Sequence, residues 1–271
     1  MWRSMHIFHT QYDQPIIYMI RKIVNSKILE RTKRFLGRSS GIYLKLKRFT
    51  PSASEELRTA TILKNNYIDL VIDIGANTGQ FAESLYDFGY DKDVISFEPI
   101  PTCHELLLKR SQKYKNWRIA DRCAIGEKNG HVDLNISQDT VFSSILKMKE
   151  WHSKLKPVSN AVRTEQVPVH QLDDILSTYV DDISNRRILL KIDTQGYEEQ
   201  VLAGASNLLE QIVGIKIEIP LAPIYENVGF TFFKTIRFLE EHNFQPYSFN
   251  NEGVNLKTGR VNTIDGLFLR E

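Results

Sequence analysis

An α/β fold, with a mostly parallel sheet covered by helices on both faces, is predicted by three observations. Apolar runs of strand length alternate with amphipathic helical segments from Asp69 onward. The first of these runs ends in a glycine turn, VIDIGANTGQ (Val71–Gln80), which leads straight into a helical pattern. The chain has 271 residues, 42% of them hydrophobic and 25% charged, enough for one good-sized core with a small appendage.

The appendage comes first. Between Arg21 and Arg48 the chain carries lysines and arginines against a single acid, Glu30, with Ile16, Ile20, Ile23, Leu29 and Phe35 interleaved. That pattern reads as one or two amphipathic basic helices, and residues 1–60 are assigned to a helical N-terminal extension. A solvated basic face on a packed helical cap is one role for it. Peripheral contact of residues 16–48 with an anionic membrane surface is the other. No apolar run reaches the roughly 20 residues that a membrane-spanning helix needs. The polar start MWRSMHIFHTQYDQPIIYMI does not resemble a cleaved signal. Two cysteines, Cys103 and Cys123, are too few for a disulfide framework. A cytoplasmic protein is expected, with any attachment at the inner membrane surface. The net charge of +2 points to no charged partner, and no nucleic-acid partner is expected.

In SASEELRTATIL, Ser52 or Ser54 caps a helix with Glu55 and Glu56 in its first turn. Residues 61–271 then form the α/β domain. Strands are expected at Leu70–Ile74, Val94–Glu98, Trp117–Ala124, Arg187–Asp193 and Val213–Ile219, with shorter alternating pieces at His131–Ile136 and Glu165–Leu172. Helices are expected at Gln80–Phe88, Thr102–Tyr114, Leu172–Tyr179 and Glu198–Gln211, and another around Phe232, Ile236 and Leu239. PYSFN and TIDGLFL close the chain as a candidate antiparallel hairpin.

In an open parallel sheet a ligand binds beyond the carboxyl ends of the strands. Gly75 and Gly79 lie where backbone takes unusual torsions or touches a ligand closely. A dinucleotide fingerprint wants G-x-G-x-x-G, but Asn77 stands at the second glycine's place. A phosphate loop wants a lysine after its last glycine, and Gln80 follows Gly79. Two acids complete the pattern. Asp73 precedes the loop, and Glu98 closes the second strand, where a carboxylate accepts both hydroxyls of an adenosine ribose. A ligand with a ribose, an amino group or positive charge and no phosphate fits, as S-adenosylmethionine does. Ala124, at the third strand's end, falls where an adenine is bounded.

VIDIGANTGQFA, ISFEPIP, VPVHQLDDIL and LKIDTQGYEEQVLAGA together resemble the FkbM family of S-adenosylmethionine-dependent methyltransferases, across about Asp69 to Glu271. The resemblance implies a class I methyltransferase fold: a seven-stranded, mostly parallel, Rossmann-like sheet whose last strand is antiparallel. It also implies O-methyl transfer, often to a sugar or glycosylated natural product. Many members read Val-Glu-Gly where this chain has Thr194-Gln195-Gly196, so an amide replaces a carboxylate beside Asp193.

An alcohol must lose its proton during methylation, so a base helps. Asp193, at the end of ILLKID, is the first candidate. Glu198, one turn beyond, and His170, with its near-neutral pKa, are the others; Glu218 ends the next strand. Capping of a helix by Asp193 and a surface position for His170 are the plain alternatives. Thr140–Ser144 reads as a segment that closes over the cofactor or as an ordinary polar loop, and Trp151, His152, Tyr225 and Phe230 are candidate contacts to a small-molecule or glycan acceptor. The acids match no metal-ligand motif, and no metal is assigned. An NAD-dependent oxidoreductase on the same kind of sheet and a non-catalytic S-adenosylmethionine-binding protein are the competing functions.

Overall fold

The computed structural model describes residues 50–255 and 257–270. The basic stretch, and with it the expected helices and membrane contact of residues 16–48, lies outside them.

Helix α1 (Glu55–Asn65) opens the described chain and runs across the expected boundary at residue 60. Ser54 Oγ accepts from the Leu57 amide at 3.2 Å, and Glu55 and Glu56 favour the positive end of the helix. There follow β1 (Leu70–Ile74), α2 (Gln80–Asp87), β2 (Asp93–Phe97), α3 (Pro101–Ser111), β3 (Trp117–Ile119), β4 (Ala124–Ile125) and β5 (Gly130–Ser137). The second half contains α4 (Glu150–Leu155), β6 (Ala161–His170), α5 (Leu172–Ile175), β7 (Ile188–Ile192), α6 (Glu198–Ala203) and β8 (Ile212–Pro220). Helix α7 (Phe232–Glu241), β9 (Phe244–Asn251) and β10 (Thr263–Arg270) end it.

The main sheet has seven strands in the order β3-β2-β1-β7-β8-β10-β9. Strand β10 runs antiparallel to both neighbours, and the β1, β2, β3, β7 and β8 pairings are parallel. This is the class I methyltransferase arrangement, with the closing hairpin in place. Strands β1 and β7 are buried along their whole length, as central parallel strands with helices on both faces must be. One core holds Leu70, Ile72, Leu190 and Ile217 with Val201 and Leu239 from the helices. A second holds Val71, Val94 and Leu189 with Leu63 and Leu85. Helix α1 is tied to the hairpin, since Arg58 donates to Ser248 Oγ at 2.8 Å and to Asn250.

Several elements differ from expectation. Helix α4 has no counterpart among the expected helices, and Leu172–Tyr179 is α-helical only to Ile175 before a 3-10 turn over Leu176–Thr178. Two further elements break. Trp117–Ala124 divides, because β3 leaves the main sheet after the Ala120 amide bonds Ser96. Strand β4 then pairs with β6 in a second sheet of order β4-β6-β5. Glu198–Gln211 breaks after one and a half turns, where Gly204 abuts the Gly126 backbone; a Cβ there would lie 2.0 Å from the Gly126 carbonyl oxygen.

Candidate active site

The carboxyl ends of β1, β2, β7 and β8 open into a cavity of about 670 Å³. One wall is the turn after β1. Gly75 has φ +73°, and a Cβ would lie 1.9 Å from the Asp193 carbonyl oxygen, so only glycine lets the ends of β1 and β7 come this close. Each backbone N–H of the turn is satisfied within the protein. Those of Gly75 and Ala76 donate to the Phe97 carbonyl, both at 3.1 Å, and that of Gly79 donates to Ala76 at 2.8 Å. The Thr78 amide donates to Asn77 Oδ1 at 2.8 Å, and the Asn77 amide donates to Glu98 Oε2 at 2.7 Å. A pyrophosphate needs such groups free.

Glu98, one residue past β2, is buried and lines the cavity. Its other oxygen, Oε1, accepts from the Ile100 amide at 2.8 Å. Burial pushes the carboxyl up to about 7 against the pull of these two amides. Each oxygen keeps a further lone pair for a ligand hydroxyl. Gly75, Asn77 and Ala124 line the cavity beside it. Gly79 does not; its φ of +90° and the Trp117 and Leu107 side chains pressed against it give it a packing role.

Asp73, expected at the ligand, lies elsewhere. Strand register sets it directly beside Lys191 of β7 and Ser96 of β2. It is 0% exposed, ion-paired with Lys191 Nζ at 3.0 Å, and accepts from Ser96 Oγ at 3.3 Å. Lys191 Nζ also donates to the Gly75 carbonyl at 3.0 Å and lies 3.7 Å from Asp193 Oδ2. Burial alone would lower this ammonium's pKa, but Asp73 and Asp193 outweigh it and hold the value above the ordinary range. Sequence reasoning passed over Lys191. A lysine inside an otherwise apolar run of a central strand was its signal, because such a charge requires a buried partner.

At the end of β7, Asp193 lines the cavity with its side chain 42% exposed. Glu198 also lines it, but Oε1 is taken up by the turn before α6, accepting from the Thr194 and Gly196 amides at 3.1 and 3.0 Å. Burial raises its pKa against those amides. Gln195, in the left-handed region at φ +56°, donates from Nε2 to Asp193 Oδ1 at 2.9 Å and to Glu218 Oε2 at 3.0 Å. The Tyr225 hydroxyl lies 3.0 Å from both Gln195 Oε1 and the Phe142 carbonyl. Glu218 is raised well above the usual carboxylate range by burial, then by Asp193 and Glu198. Thr140–Ser144 lines the cavity between the two ends: Thr140 Oγ1 accepts from Asn77 Nδ2 at 3.4 Å, and Ser144 Oγ donates to the Gln195 carbonyl at 2.7 Å.

His170 ends β6 in the second sheet, paired with Ile125, and does not line the cavity. The catalytic candidates are therefore divided, with Asp193 and Glu198 together and His170 apart. Trp151, His152 and Phe230 are likewise outside the lining, whereas Tyr225 is within it. Beyond Glu218 the carboxylates of Glu55, Glu252 and Asp265 converge within 4.8 Å of one another. Lys216 is ion-paired with Asp265 and lies 3.5 Å from Glu55, so an ammonium already serves these acids as counterion. Both lysines that line the cavity are thus committed to carboxylates, which leaves neither as a phosphate anchor.

The family model described as the methyltransferase FkbM domain matches residues 73–246. Solved structures similar to this chain include TehB from Haemophilus influenzae, at 13% identity over 88% of this chain and 67% of that one, TM-score 0.44. Precorrin-6y C5,15-methyltransferase from Geobacter metallireducens is 12% identical over 86% and 96%, TM-score 0.42. Magnesium protoporphyrin IX methyltransferase from Synechocystis, solved with bound S-adenosylmethionine, is 10% identical over 94% and 96%, TM-score 0.40. No curated protein matches the chain.

Proposed function

We propose that this chain, which belongs to the FkbM methyltransferase family, methylates a hydroxyl group of a sugar, in a glycosylated metabolite or a polysaccharide. Methyl transfer from S-adenosylmethionine is the family's activity and the starting point; the hydroxyl acceptor is the proposed part. The carrying observation is one cavity lined by Glu98 at one strand end and Asp193 at another, beside a turn with no free N–H and two lysines already paired. That chemistry suits a nucleoside carrying positive charge and refuses a diphosphate, which also weighs against an NAD-dependent oxidoreductase.

S-adenosylmethionine, when bound, supplies a methyl group on a cationic sulfur already activated for displacement. Glu98 is the residue to accept the ribose hydroxyls, and Asn77 and Ala124 bound the same end. Asp193, half-exposed, takes the proton of the acceptor hydroxyl as that oxygen gains the methyl group. The surrounding acids and the Tyr225 hydroxyl offer a polyol several hydrogen-bond partners. Contact of residues 16–48 with an anionic surface stays part of the proposal on charge pattern alone.

The test supplies the purified protein and methyl-labelled S-adenosylmethionine to polysaccharide and glycolipid extracts from cells lacking the gene. Label is expected in O-methyl sugars, read by mass spectrometry. Label found only on nitrogen, or only on protein, would overturn the hydroxyl reading. Asp193→Asn should bind S-adenosylhomocysteine as the parent does and lose about 10²–10⁴-fold in turnover, the usual range for a general base.

A further inference from the structure

Gln195 occupies the junction of four segments. Its backbone belongs to the turn between β7 and α6, and its carbonyl accepts from Ser144 in the segment Thr140–Ser144. Its two amide hydrogens are both spent, one on Asp193 Oδ1 and one on Glu218 Oε2, which brings together the ends of two neighbouring parallel strands. Tyr225 lies against its oxygen. An amide turned the other way would set Oε1 against two carboxylates, so electrostatics fixes the orientation. Gln195, Asp193, Glu218, Tyr225 and Ser144 all line the cavity.

Resting on the methyl-transfer reading above, we infer that Gln195 is a positioning residue for that reaction. Its amide clamps Asp193 to Glu218 and leaves Asp193 Oδ2 as the oxygen turned to the acceptor hydroxyl. Burial and the nearby carboxylates of Asp193 and Glu198 already hold the Glu218 carboxyl well above its ordinary range, so a base beside it must be held in place without a further charge. One neutral amide does this by giving each carboxyl group an N–H donor. The groups that act on the pair are Lys191 on β7, Glu198 at the start of α6, Lys216 on β8, Asp265 on β10, Glu252 past the end of β9's hydrogen-bonded run, and the Tyr225 hydroxyl. Three of the six are carboxylates against two ammonium groups, so the clamp works against an excess of negative charge.

Gln195→Met removes the donors at similar length and keeps an unbranched side chain at the same left-handed residue. S-adenosylhomocysteine affinity should stay within about twofold, which reports intact folding and an intact Glu98 end. In carboxyl-carbon NMR titrations the Glu218 carboxyl, which loses an N–H donor to Oε2, should move still higher than in the parent. With the glycan acceptor that takes the label, kcat should fall at least about tenfold at neutral pH while the acceptor KM stays within about twofold. An unchanged Glu218 titration, or a wild-type kcat, would overturn the clamp. The titration needs no acceptor, so a failure to find any O-methylated sugar would sink the acceptor reading while the NMR still decides on Gln195.

Discussion

At the Glu98 end of the cavity the protein satisfies its own backbone first and offers one side chain to the ligand. The turn from Gly75 to Gly79 bonds to Phe97, Asn77, Ala76 and Glu98, and the two oxygens of Glu98 anchor two main-chain amides. At the Asp193 end side chains also bond one another: Gln195 to Asp193 and Glu218, and Lys216 to Asp265 and Glu55. A rigid main-chain frame suits an invariant nucleoside donor. A mesh of side chains in which one substitution re-tunes its neighbours suits the end that must choose an acceptor.

Lys191 reaches both ends, through the Gly75 carbonyl and its approach to Asp193, and its loss should produce the largest effect. Lys191→Met leaves Asp73 charged at 0% exposure with no counterion, a change that costs about 3–5 kcal/mol. Urea denaturation should show that loss, and Asp73→Asn in the same chain should recover a large part of it. If the single variant unfolds at the wild-type midpoint, Asp73 and Lys191 do not form a buried ion pair.

The contrast also governs what could be read from sequence. The Glu98 end was legible because it is nearly contiguous: strand, glycine turn and the acid closing the next strand lie between Val71 and Glu98. Asp73 was misplaced within that same stretch. Only strand register, which a single sequence does not reveal, puts it beside Lys191 and Ser96 rather than at the ligand. The other end gathers Glu55, Phe142, Gln195, Glu218, Tyr225 and Asp265 from all over the chain. Individual residues such as Asp193 and Tyr225 could be named from strand ends and aromatic character, but the bridge through Gln195 could not. His170 shows the same limit: alternation placed a strand at Glu165–Leu172, which the structure shifts to Ala161–His170, and said nothing of which sheet that strand joins.

A pH titration separates the two ends with a smaller effect. Burial pushes the Glu98 carboxyl up to about 7, and under the proposed function its ionised form is the one that accepts from the ribose hydroxyls. S-adenosylhomocysteine should therefore bind more tightly as pH rises toward 7, by up to about tenfold per unit at the acid side, and level off above it. Calorimetry from pH 5 to 8 measures this. Glu252, at the other end, is also pushed up to about 7, by burial and then by Asp265 and Glu55, and serves as the control. The slope should vanish in Glu98→Gln, which binds weakly at every pH, and persist in Glu252→Gln. A wild-type affinity flat across this range would remove Glu98 from the ribose.

The smallest effect is expected at a residue attached to neither end. His170 closes β6 in the second sheet, its carbonyl accepting from the Gly126 amide at 3.0 Å while Val169 and Val167 beside it fill a separate core. A base must come within hydrogen-bond reach of the proton it removes, directly or through one water, and His170 does not line the cavity in which that proton would lie. His170→Ala should keep kcat and the acceptor KM within about twofold and leave the acid limb of the pH profile where it is. A tenfold fall in kcat with normal stability would mean that β6 and its sheet swing toward the acceptor during turnover. The acceptor end would then extend beyond the side chains around Gln195 to a second sheet, and the division between a rigid donor end and an adaptable acceptor end would become a division between the two sheets themselves.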